Sequence, residues 1–164
     1  MTIYALSSGS GISGVAIIRI SGLEASNVIK SLTSREIPKP RMATLRKINN
    51  INTSELIDEG IIIWFPGPES YTGEDMAEIH IHGGKAGILA VQNEISKIKN
   101  CRLAEPGEFT KLAFQNGKIN LLKAESIGDL ISAETEIQRS QAIKIMKGKS
   151  SFKFNELREK LLKI

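Results

Sequence analysis

Three charged side chains stand where apolar ones are expected, and they have chemistry to offer. Arg19 lies in the run VAIIRI, alternating with Ile18 and Ile20 across a strand. Glu78 shares one face of the segment Met76 to His82 with His80 and His82, while Ala77, Ile79 and Ile81 take the other. Lys118 stands at the hinge between two helical stretches, just after an Asn-Gly pair. Charges in such settings are costly unless they pair or meet a ligand. Two readings are open at this point. Arg19 and Glu78 form an internal salt bridge, or two cations and one carboxylate line a cleft. In the cleft, the carboxylate takes paired N–H donors from an amino-substituted heterocycle and the cations hold an anionic tail. A pterin or purine bearing acids has that chemistry.

Three other patterns invite chemistry and fail on context. Gly9, Gly11 and Gly14 match G-x-G-x-x-G, but the dinucleotide motif must open a helix and here VAIIRI follows, which favours a strand. Gly148-Lys149-Ser150 resembles the end of a phosphate-binding loop, yet the leading glycine position is Ile143, so this chain is not expected to bind GTP by itself. Glu78, His80 and His82 have a spacing that could hold a metal, but they contain both histidines of the chain and lack a further ligand nearby. Polar residues lining a cleft is the preferred reading.

The elements that must position these residues can be read from periodicity. Thr2 to Leu6 reads as a strand, followed by a glycine-rich loop to Gly14 and a strand from Val15 to Ile20. Ser21 and Glu24 form the S-x-x-E pattern of a capping box, opening a helix with Ala25, Val28, Ile29 and Leu32 on one face. Pro38 and Pro40 stop helical structure. Strands are expected over Arg41 to Ile48, Glu59 to Phe65 and Met76 to His82. Gly83-Gly84 then opens a helix with Ile88, Val91, Ile95 and Ile98 inward, and a short strand spans Cys101 to Ala104. From Leu121 the period is helical without interruption to Met146, Gly148 breaks it, and a last helix starts near Phe152. The expected fold class is α+β: a mixed-sheet domain over residues 1–118, then antiparallel helices over 119–164.

The 164 residues suffice for one well-buried domain and a modest appendage, and 41% apolar with 24% charged residues is ordinary for a soluble globular protein. No window approaches the roughly 18 consecutive apolar residues of a membrane span, and the N-terminus has no basic lead of a signal peptide. One cysteine cannot form an internal disulfide, which fits a reducing cytoplasm. Cys101 reads as a small apolar residue at a strand start. The net charge of +4 is uneven: residues 1–138 carry 14 basic and 16 acidic residues, and residues 139–164 carry 8 and 2. Such a basic tail is a solvated helix face or meets phosphate or an acidic partner. The sequence NELREKLLKI ends inside a periodic helix, as expected of a fragment or of a chain that oligomerises through its helices.

Three blocks, VAIIRISG, LIDEGIIIWFPGPESYTGEDMAEIHIHGG and AEPGEFTKLAFQNGKINLLKAESIGDLISAET, resemble the signature blocks of the MnmE (TrmE) family of tRNA-modifying GTPases, in the family order. One departure is Glu105, where the family usually has Arg before Pro-Gly-Glu-Phe. The resemblance implies a domain similar to the tetrahydrofolate-binding domain of aminomethyltransferases, which forms a homodimer and binds 5-formyl-tetrahydrofolate. It places the family's folate contacts on Arg19, Glu78 and Lys118. It further implies a parent enzyme dependent on GTP, potassium and magnesium that modifies the wobble uridine of tRNA with an FAD-dependent partner of the MnmG (GidA) type in the cytoplasm. The GTPase domain and the terminal Cys-Ile-Gly-Lys motif have no counterpart in these residues, so no GTP hydrolysis is expected from this chain. Alternatives are a structural module that dimerises and docks a partner or tRNA without ligand, and an independent one-carbon transferase, for which no positioned nucleophile or acid–base pair speaks.

Overall fold

The computed structural model describes residues 1–9, 11–148 and 158–162; the helix expected near Phe152 lies largely outside them. By contacts the chain divides into two compact units, Met1–Phe109 and Thr110–Ile164.

The first unit is a six-stranded sheet with two helices on one face. In chain order come β1 (Thr2–Leu6), β2 (Ser13–Ser21), α1 (Ala25–Thr33), β3 (Thr44–Asn49), β4 (Leu56–Phe65), β5 (Met76–Gly83), α2 (Lys85–Ser96) and β6 (Cys101–Leu103). The sheet order is β3-β4-β5-β2-β1-β6. Neighbours are antiparallel except β1 and β6, which run parallel, so the sheet is mixed. Hydrophobic burial drives the assembly. Ile18, Ile20, Ile62 and Ile79 point from adjacent strands to one face and are fully buried with Val28, Ile29 and Leu32 of α1 and Val91 and Ile95 of α2. Cys101 packs at the margin of this core. Burial, helped by the Glu24 carboxylate and opposed by the N-terminal amine, pushes its thiol pKa up, which disfavours the reactive thiolate.

Gly22 and Gly60 are each required for a close approach. Gly22 has φ +130, and a Cβ there would lie 2.7 Å from the Thr2 Cα. At Gly60 a Cβ would come within 2.1 Å of the His80 carbonyl oxygen, so β4 and β5 could not meet at their observed register.

The local structure corrects several expectations. Ser21 does not cap α1: it ends β2, and its hydroxyl donates to Glu74 Oε2 at 3.0 Å. Thr72 Oγ1 lies 2.7 Å away and must then donate to Ser21. The cap position is Glu24, whose N–H donates to Thr2 Oγ1 at 2.8 Å. The strand expected from Arg41 starts at Thr44, because Arg41 has φ +61 and belongs to a turn. β4 starts earlier than expected, at Leu56, which shortens the polar loop before it.

In the second unit the long helix is two. α4 (Leu121–Ser132) and α5 (Glu136–Met146) pack against each other across a break at Ala133–Thr135. Thr135 and Gln138 form a complete capping box that starts α5. Ser126 and Ala142 are buried, whereas Leu121, Ile131 and Ile137 remain exposed. α3 (Glu108–Gln115) precedes them, its first two residues belonging to the first unit.

Candidate functional site

The sheet face opposite α1 and α2 carries the awkward charges. Arg19 and Glu78 are direct cross-strand partners on β2 and β5. Arg19 Nε and Nη2 both donate to Glu78 Oε1, at 3.1 and 2.9 Å. The second oxygen, Oε2, lies 3.3 Å from His80 Nε2, two residues along the same strand. Side-chain exposure is 31% for Arg19 and 18% for Glu78, so the pair is sheltered without being sealed. The internal ion pair foreseen as one of two readings is therefore formed.

Two aromatic rings border the guanidinium, centred 5.8 Å (Tyr71) and 5.7 Å (Phe109) from its carbon. These are cation–π distances, and neither ring was singled out from sequence. Each is placed by a folded turn. Tyr71 sits in the loop 66–75, where Gly67 N–H donates to Asp75 Oδ1 (2.9 Å), Gly73 N–H to Ser70 Oγ (3.0 Å), and Ser70 Oγ to the Glu74 carbonyl. Phe109 follows Gly107, at φ +76, and Glu108. The Glu108 carboxylate accepts from both terminal nitrogens of Arg102 and from the Glu105 N–H. The signal available in sequence was aromatic residues inside two hydrogen-bonded turns, Ser-Tyr-Thr-Gly and Pro-Gly-Glu-Phe.

Lys118 lies in the second unit, on an exposed turn. Its N–H donates to the Ala113 carbonyl at 2.8 Å, and Gly117, at φ +68, donates to Phe114 at 3.0 Å. These two bonds are the Schellman closure of a helix, and they place Lys118 just past the left-handed glycine. Asn120 caps α4 two residues later, accepting from the Lys123 N–H. The oddly punctuated Asn-Gly-Lys-Ile-Asn stretch is thus one helix stop and one helix start.

The histidines are engaged separately. His80 faces Glu78, and His82 Nδ1 lies 2.8 Å from Asp58 Oδ1. Among the described residues no group of three or more His, Cys, Asp or Glu is arranged to hold a metal. Among them, too, no helix is long and apolar enough to cross a membrane.

Comparison with known proteins gives this geometry a family. Residues 2–118 match the family model described as GTP-binding protein TrmE N-terminus. The whole chain is 79% identical to the tRNA modification GTPase MnmE of Pelagibacter ubique, covering 37% of that protein. It is 43% identical over 162 residues to the protein of the same name from Parvibaculum lavamentivorans, covering 37% of it. With the mitochondrial tRNA modification GTPase gtpbp3 of Dictyostelium discoideum it shares 47% identity over 168 residues, covering 33%. The chain thus spans about a third of the length of these curated relatives. With the family model matched over most of the chain, and a mixed-sheet α+β unit carrying the family blocks, the chain belongs to the TrmE N-terminal family of tRNA modification GTPases.

Proposed function

We propose that the first unit binds 5-formyl-tetrahydrofolate, with Glu78 and Arg19 as the central contacts; Lys118 of the second unit is the third contact that the family resemblance implies. The observation that carries this reading is the Glu78 carboxylate: it is partly exposed, both Arg19 bonds go to one of its oxygens, and two rings border the site. A pterin presents an amino group and a ring N–H side by side, the same paired donors a guanidinium offers, so it can share or replace Arg19 at the carboxylate. Arg19, once shared, faces carbonyl or anionic groups of the ligand. Tyr71 and Phe109 give a flat heterocycle apolar surface to lie against.

In this reading the chain is the N-terminal part of a homodimeric enzyme that modifies the wobble uridine of tRNA, with the one-carbon unit of the folate as the chemistry supplied at this site. GTP, potassium and magnesium belong to a separate GTPase domain, and an FAD-dependent protein of the MnmG type is the partner, in the cytoplasm. Support comes from the relatives' names, which are those of tRNA modification GTPases.

Isothermal calorimetry with 5-formyl-tetrahydrofolate is the test. Glu78→Ala should weaken binding at least about tenfold, the loss of a charge-assisted bond pair. Undiminished affinity removes Glu78 from the site, and GTP turnover by the purified chain overturns the assignment of hydrolysis to another domain. One observation favours a second reading: Arg19 and Glu78 already satisfy each other. A dimer in solution with no folate heat would make this unit a ligand-free assembly module.

A further inference from the structure

The edge of the sheet at β3 holds a concentration of positive charge that the folate reading leaves unused. Among the described residues β3 pairs only with β4. From Lys30 to Lys47 the chain places six basic residues and one acidic one, Glu36, whereas the rest of residues 1–109 has five basic against eleven acidic. Two clefts, of about 730 Å³ and about 530 Å³, run between the end of α1 and β3 and share Ser34, Arg35 and Arg46. Lys47 and its cross-strand partner Glu59 line the larger, which keeps three cations against one carboxylate, and Lys30 lines the smaller. Glu36 is occupied by Lys30 at 2.6 Å.

Arg46 is the built element of this edge. Its Nε is buried and has no hydrogen-bond partner among the described residues, and Nη1 donates only to the adjacent Leu45 carbonyl at 3.2 Å. Helix capping does not account for it, since Nε donates to no carbonyl at the end of α1. Nε itself is closed to solvent, so it fixes a guanidinium with unspent donor capacity, and an anion would meet the accessible terminal end, whose planar fork matches phosphate oxygens.

We propose that the α1–β3 edge docks the phosphate backbone of an RNA, with Arg46 as its anchor and Arg35 and Lys47 on adjacent phosphates. Several cations strung along an open edge suit successive phosphates better than one small anion. The stretch 30–47 holds no aromatic residue to stack on bases, so recognition is of backbone and tolerant of sequence. The choice of RNA over other polyanions rests on the reading that the chain serves tRNA modification.

Fluorescence anisotropy with a labelled, unmodified tRNA transcript over a salt series tests it on the full chain. Arg35→Gln/Arg46→Gln/Lys47→Gln should weaken binding at least about tenfold and reduce the slope of log K against log salt by about 2. Because Arg46 is partly buried, Arg35→Gln/Lys47→Gln serves as the fold-neutral variant and should keep the melting temperature while losing part of the slope. Lys85→Gln/Lys99→Gln and, in the basic tail, Lys144→Gln/Lys147→Gln should each lose less than the triple variant. Wild-type affinity and slope in the triple variant overturn the proposal, as does binding of polyglutamate with no salt-dependent binding of the transcript. The folate titration separates the two readings: loss of RNA binding with folate heat unchanged supports this site alone, and absence of folate heat in wild type leaves the RNA result standing.

Discussion

The two faces of the six-stranded sheet are made from alternate residues of the same strands, yet they serve different ends. On the face under α1 and α2, Ile18, Ile20, Ile62 and Ile79 have no solvent contact at all. One residue away in each direction, Arg19, Glu78 and His80 keep 31%, 18% and 24% side-chain exposure. The covered face is held by shape and area, which many apolar sets could supply. The other is held by particular partners, because each charge there must be answered by an opposite charge, a ring or a ligand. Alternation assigns residues to faces; what lies over a face decides whether it is core or site.

The largest expected effect tests that division directly. Ile79→Ala should cost about 3–4 kcal/mol, the usual loss for emptying a fully packed isoleucine site. His80→Ala, next in sequence but on the other face, should cost about 1 kcal/mol or less. Urea denaturation of both variants measures the gap, and equal losses would erase the distinction between the faces.

Next comes Glu94, a carboxylate on the covered side, 4% exposed. It accepts from Asn50 Nδ2 (2.9 Å), the Ile51 N–H (3.0 Å) and Lys97 Nζ (2.5 Å), fastening the β3–β4 turn to α2. Glu94→Ala strands those donors and should cost about 2–3 kcal/mol. Burial pushes the Glu94 pKa up, but the bonds from Lys97 and Ile51 outweigh it and hold it below the ordinary value. A folded pKa below the unfolded one gives stability that is present above about pH 5 and lost as acid protonates the folded carboxylate. Glu94→Gln should therefore flatten the fall in stability below that pH.

Glu78→Gln ranks third for stability and first for ligand. The pair with Arg19 is part-exposed, so removing its charge should cost about 1 kcal/mol or less, while folate affinity should fall at least about tenfold. A large stability loss with folate affinity retained would move Glu78 from the site to the scaffold.

Much of this was legible because it is local. The alternation in Met76 to His82 and the four-residue face of α1 were read from spacing alone, and both are buried as expected. The failures share a cause: a short pattern cannot see distant partners. Ser21 and Glu24 have capping spacing, but Ser21 is claimed by Thr72 and Glu74, some fifty residues away. The α4–α5 break is masked by a helical period that runs on across it, although Thr135 and Gln138 spell a second start. Arg19 and Glu78 could be named as awkward charges; that they oppose each other required the register of β2 on β5. Arg46 was invisible, since its orphaned nitrogen depends on the end of α1 folding back beside β3.

The smallest effect sets a lower bound on what a half-sheltered carboxylate contributes here. Asp58 accepts from the His82 N–H at 2.9 Å and from the Glu59 N–H at 2.7 Å, with His82 Nδ1 at 2.8 Å. Burial raises its pKa, but the His82 side-chain and backbone bonds prevail and lower it overall. Like Glu94, it adds stability above the carboxylate range and loses it as pH falls through the lowered pKa. Unlike Glu94, its side-chain partner is largely solvated, the His82 side chain being 79% exposed, so screening reduces the gain. Asp58→Asn should cost about 0.5–1 kcal/mol at neutral pH, and His82→Ala less, because alanine keeps the backbone N–H bond to Asp58. Denaturation midpoints of Asp58→Asn and Glu94→Gln, compared at neutral and acid pH, decide whether the covering layer sets the difference. If Asp58→Asn costs as much as Glu94→Gln, the number of hydrogen bonds matters more than the depth at which they are made.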